Sequence, residues 1–106
     1  MMAWLYLLCA GLFEIGWPVG IKMTQQEGGG VVGITIALTC MAVSGFLLWL
    51  AQKTIPMGTS YAVWTGIGAA GTFLVGVFHY GDPASPARYL GVALILCGVI
   101  VLKLAY

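Results

Sequence analysis

Long apolar runs alternate with short polar or helix-breaking punctuation along this chain. Residues 1–13 carry no formal charge; Glu14 then interrupts, and apolar sequence resumes to Ile21. Residues 28–52, 54–81 and 89–102 are likewise free of Asp, Glu, Lys and Arg, with His79 at the end of the 54–81 run. A helix that crosses a bilayer needs about 20 mainly apolar residues. The pattern therefore predicts four spans, at about 2–21, 31–51, 57–79 and 87–105, in a single all-α integral membrane domain over residues 1–106. The connections, 22–30, 52–56 and 80–86, hold Gly28-Gly29-Gly30, Pro56, Gly81-Asp82-Pro83 and Pro86, all residues that interrupt helices. The first run does not read as a signal peptide. It has no basic leader, it contains Glu14, and no polar domain follows it.

Composition narrows the class. Only 7% of the 106 residues are charged and 61% are hydrophobic, with a mean hydropathy of +1.04. A soluble domain is about 25% charged. Too few polar side chains are present to cover a solvated enzyme surface, and disorder needs the opposite composition. The net charge is +1 and no basic run occurs, so there is no footprint for nucleic-acid binding. Cys9, Cys40 and Cys97 all fall inside spans without C-x-x-C spacing, which reads as small buried hydrophobes rather than a metal or disulfide framework. His79 reads as an interfacial residue, and no Ser/His/Asp set assembles, so an enzyme is not expected.

The few cations bear on orientation. Four spans put Lys53 and Lys103 on one side of the membrane and Lys22 and Arg88 on the other. Orientation follows the Lys/Arg bias of short loops, and here the bias is zero. That balance points to insertion in both orientations.

Glu14 is the one acid deep within a span. It lies near 18 Å from the start of its helix at about 1.5 Å per residue. A carboxylate at that depth is costly, and such residues mark ion or proton paths. Positions three and four away share its face: Ala10, Gly11, Trp17 and Pro18. Gly11 is expected to leave room beside the acid, and Trp17 to offer an indole N–H and a π face. Pro18 removes the N–H that would bond the Glu14 carbonyl and is expected to kink the helix. Trp4 and Trp49 are the interfacial anchor candidates. In the third span Tyr61, Trp64, Thr65 and Gly68 follow helical i, i+3, i+4, i+7 spacing. Tyr61 is expected to donate its phenol to Glu14, and Trp64 either walls the cavity or packs between helices. Ser44 and Gly45 in the second span either bond the same acid or let helices approach. Gly91, Leu94 and Gly98 lie on one stripe of the fourth span, which reads as a dimer-packing seam. One acid in four helices makes a poor path; two copies supply two. An antiparallel pair would have the symmetry of an inverted-repeat transporter. A proton and a cation would compete for the carboxylates, which suit a guanidinium-like group through bidentate bonding.

Three segments carry a resemblance. Gly11-Leu-Phe-Glu14-Ile-Gly-Trp17 with Lys22, Pro56-Met-Gly58-Thr-Ser-Tyr61-Ala-Val-Trp64-Thr-Gly66-Ile-Gly68, and Gly91-Val-Ala-Leu-Ile-Leu-Cys-Gly98-Val resemble the first-, third- and fourth-span motifs of the small multidrug resistance family. The likeness covers the whole chain, and the tryptophan three after the glutamate matches the guanidinium exporter subtype. The resemblance implies an antiparallel, dual-topology homodimer of four-helix subunits in the bacterial inner membrane. It implies proton-coupled export of guanidinium ion, with the proton gradient as the energy source and no cofactor. Glu14 carries over as the shared proton and substrate site, with Trp17, Ser44, Tyr61 and Trp64 around it. Gly16 and Pro18 depart from the family pattern. They are expected to add room beside the acid, which leaves export of quaternary ammonium and other hydrophobic cations as the alternative.

Overall fold

Four helices follow one another with tight connections in a computed structural model that describes residues 2–105: α1 (Met2–Thr24), α2 (Gly30–Ala51), α3 (Met57–Tyr80) and α4 (Pro86–Ala105). Each is long and apolar enough to cross a membrane. At about 1.5 Å per residue, the 23 residues of α1 reach roughly 34 Å, enough for a hydrocarbon core about 30 Å thick. α1 runs on to Thr24, past the expected end at residue 21, because Lys22 and Met23 continue a good helical turn. The Thr24 hydroxyl then bonds the Ile21 carbonyl at 2.6 Å. Glycines make the sharp turns: Gly28 takes φ 76° between α1 and α2, and Gly81 takes φ 69° after α3. Both angles fall in the left-handed region that only glycine enters at little cost. Pro18 does not end α1, which continues as helix through it.

Inside lipid, helices gain nothing by hiding apolar side chains from one another's surroundings. Association rests on close packing instead. The chain uses bare backbone to achieve it. α1 and α2 cross where a Cβ on Gly20 would stand 2.6 Å from the Gly33 carbonyl oxygen, and one on Gly33 would stand 2.5 Å from that of Gly20. α1 meets α3 at Gly11, where a Cβ would be 2.8 Å from Ile67 Cβ, and at Gly71, which Ile15 fills. Gly66 seats α4 through Val99. At one end of the bundle Trp4, Leu7, Ala51, Ile55 and Val63 form a buried cluster. Trp4 is thus a core residue rather than an interfacial anchor; the Lys103 ammonium lies 4.8 Å from its ring centroid. Trp49 is exposed, with the Lys53 ammonium 4.3 Å from its ring.

The result is a slab, 44 × 34 × 17 Å, rather than a closed bundle. α4 contributes no buried residue and packs along α3. Gly91 and Gly98 have open space where a Cβ would point, and Leu94 is 63% exposed. Cys97 is exposed on the same helix, against the expectation of burial.

Candidate functional site

The groove between α1 and α3 holds the acid. Glu14 enters it half-buried, and the facing position on α3 is Gly68. A Cβ on Gly68 would approach Glu14 Cγ to 2.5 Å, so the glutamate lies across bare helix backbone. Here the chain opens a cleft of about 440 Å³. Trp17 and Pro18 line it from α1; Thr65, Gly68, Thr72 and Phe73 line it from α3; Asp82 lines it from the following connection. The Thr65 hydroxyl donates to the Tyr61 carbonyl at 2.8 Å, which commits its proton and leaves oxygen lone pairs for the cleft. The Glu14 carboxylate accepts no hydrogen bond from the described residues. The cleft thus combines an anionic oxygen pair, hydroxyl acceptors and two aromatic rings. Those features suit a small cation, through charge, hydrogen bonding and π faces.

A second network stands beside the first. The Trp64 indole donates to the Ser44 hydroxyl at 2.8 Å, and Ser44 donates to the Ala10 carbonyl at 2.7 Å. Ala10 is one helical turn before Glu14, so its carbonyl also accepts the Glu14 N–H of the helix ladder. Three helices are therefore pinned at the turn that carries the acid. Ser44 is fully buried, and no buried side-chain polar atom among the described residues lacks a hydrogen-bond partner.

Several expected site residues stand elsewhere than the sequence placed them. Gly11 leaves no room beside the carboxylate, because Ile67 occupies that space. Ser44 bonds backbone rather than the acid. Tyr61 does not reach Glu14 within the subunit. It shares the stripe of Gly68 but lies two turns away, about 10 Å along the axis. Its ring stacks obliquely on Trp64 at 5.5 Å and is 56% exposed. Trp64 packs between helices and does not line the cleft. Gly16 points to α2, where a Cβ would meet Cys40, so its small size does not widen the cleft. Trp17 and Pro18 do line it. Thr72, Phe73 and Asp82 were not anticipated. Thr72 lies seven residues after Thr65, so extending the polar stripe by two turns would have found it. Asp82 gave no such signal, because only the turn after α3 brings it back.

Sequence comparison bears on what this groove belongs to. The profile of a family described as "Small Multidrug Resistance protein" matches residues 2–95. A protein of Salmonella typhimurium named "Guanidinium exporter" is 48% identical over 104 residues, covering 98% of both chains. One of the same name from Yersinia pseudotuberculosis is 50% identical, covering 98% of this chain and 99% of its own. Another, from Citrobacter freundii, is 46% identical over 107 residues. A multi-pass membrane chain that matches this profile over nearly its full length belongs to the small multidrug resistance family.

Proposed function

We propose that this protein exports guanidinium ion and small substituted guanidinium cations in exchange for protons, with Glu14 binding each in turn. The observation that carries the reading is the half-buried Glu14 carboxylate, set in an α1–α3 cleft with hydroxyl and aromatic neighbours and no basic side chain lining that cleft. A planar cation with paired N–H donors matches a carboxylate. Protonation neutralises the same oxygens, so proton and cation exclude one another. Release of the cation on proton binding, and the reverse, couples the two flows. The similarity to proteins named guanidinium exporter supports the substrate class.

The working unit in this reading is an antiparallel homodimer in the bacterial inner membrane, where a proton gradient supplies the energy. Support comes from the 17 Å slab, whose α4 seam of Gly91, Leu94 and Gly98 faces outward, and from the even split of Lys and Arg between the two sides. Exchange of the two subunits' conformations then opens the paired groove to alternate sides. Purified protein in proteoliposomes tests the whole reading. Guanidinium, alkylguanidiniums and tetra-alkylammoniums are each presented under a proton gradient. Proton flux with guanidinium and little with tetra-alkylammonium is expected. Flux with tetra-alkylammonium alone would favour the hydrophobic-cation alternative.

A further inference from the structure

The groove that holds Glu14 does not stop at Glu14. A second cleft of about 200 Å³ continues it toward the connection between α3 and α4, and Pro18, Thr72 and Asp82 line both. On α3, Gly68, Thr72 and Gly76 follow at four-residue spacing and form one ridge. Glu14 lies over the first glycine. The Asp82 carboxylate lies over the last: a Cβ on Gly76 would stand 3.2 Å from Asp82 Cγ. The two glycines are about 12 Å apart along the axis at 1.5 Å per residue. Thr72 stands between them, facing both clefts.

The backbone puts Asp82 there. Gly81, at φ 69°, folds the chain back over the end of α3, and the Asp82 N–H donates to the Gly76 carbonyl at 2.9 Å. This brings the carboxylate to the carbonyl end of the helix, the negative pole of its dipole, where an anion is disfavoured and a cation favoured. The basic side chain in the outer cleft, Lys22, is not ion-paired with it. Lys22 directs its ammonium at the Tyr80 ring, 6.0 Å from the centroid. The mouth of the groove therefore presents a carboxylate beside a helix carbonyl end, with Lys22 across the outer cleft.

We propose that Asp82 is the outer cation-capturing residue of the transport path: it draws the substrate cation into the α1–α3 groove, along which the cation passes Thr72 to Glu14. The proposal rests on the transport reading above and extends it. In an antiparallel pair, one Asp82 stands at each face of the membrane, so each access state has its own capturing carboxylate. Asp82 is solvent-exposed and Glu14 half-buried, so the two acids act differently. An exposed charge steers encounter and is screened by salt. Its removal should weaken capture without stopping the exchange at Glu14.

Initial rates of cation-driven proton flux in proteoliposomes, taken over a range of cation concentration and at low and high ionic strength, test this. For Asp82→Asn we expect KM for guanidinium to rise about five- to tenfold at low salt, with the maximal rate within about twofold of wild type. Wild-type KM should rise with ionic strength, and that dependence should flatten in the variant. Asp82→Glu, which keeps the charge, should restore both. Gly76→Ala, whose added methyl displaces the carboxylate, should raise KM in the same direction. Wild-type KM and salt dependence in Asp82→Asn would overturn the proposal, as would a fall in maximal rate with KM unchanged. The parent reading fails separately. If the wild type carries guanidinium and Glu14→Gln does not, that reading stands whatever Asp82 does. If the wild type carries no cation of the panel, both fall.

Discussion

Glu14 owes its position to a residue without a side chain. Gly68→Ala would place a methyl group 2.5 Å from Glu14 Cγ, and the flexible end of the glutamate would have to move. Overpacking of this kind costs about 1–3 kcal/mol. The expected outcome is roughly a tenfold fall in kcat/KM for guanidinium, with helix content by circular dichroism unchanged. Ser44 has a different weight. Ser44→Ala strands the Trp64 indole and removes one donor from the Ala10 carbonyl. An unsatisfied buried donor costs about 1–3 kcal/mol. A lower unfolding midpoint in detergent is therefore expected, with a smaller change in transport than Gly68→Ala gives. The pH dependence has one sign. In the proposed exchange a proton on Glu14 removes the charge that the cation needs, so Kd for guanidinium should rise as pH falls, read from binding isotherms at several pH values. At this scale the sequence was informative about the acid and its own helix. Trp17 and Pro18 share its face by spacing alone, and both line the cleft. Tyr61, Trp64, Ser44 and Gly11 needed information on which neighbour each helix face meets. Helical spacing names a face; it does not say how far along the axis that face meets another helix.

Among the elements, the helices were legible because charge and helix-breaking residues punctuate the chain so sharply. Four runs free of interior Lys and Arg leave little choice about where the helices lie, and only the end of α1 extends by a turn. Pairing was less legible. Gly20 and Gly33 set the α1–α2 crossing, yet nothing in their spacing says that they face each other. At that crossing the opposing atoms are backbone, which cannot swing away as the glutamate does. Gly20→Leu is thus expected to destabilise the subunit more than Gly68→Ala, measured by denaturant titration of helix content. α4 behaves as a separate case. Its stripe of Gly91, Leu94 and Gly98 lies open or exposed among the described residues. If the proposed homodimer pairs through this stripe, a bulky substitution there, such as Gly98→Trp, is expected to leave the helices folded and to shift purified protein toward monomer by crosslinking. Retention of the full dimer fraction would show that pairing uses another surface.

For the molecule as a whole, thinness and charge balance matter most. A slab 17 Å thick cannot enclose a site by itself, and the Glu14 groove opens on its surface. The even distribution of Lys22 and Arg88 against Lys53 and Lys103 adds a testable consequence. Two further lysines in one connection should fix orientation, which labelling of an added loop cysteine would report, and the locked chain expressed alone should lose transport. The central claim is that one carboxylate serves proton and cation in turn. Proton movement driven by an imposed guanidinium gradient, compared between wild type and Glu14→Gln in proteoliposomes, tests it most directly. Protons should move against the guanidinium flow in the wild type, and no movement of either should be seen in the variant. Coupled exchange persisting in Glu14→Gln would contradict the assignment.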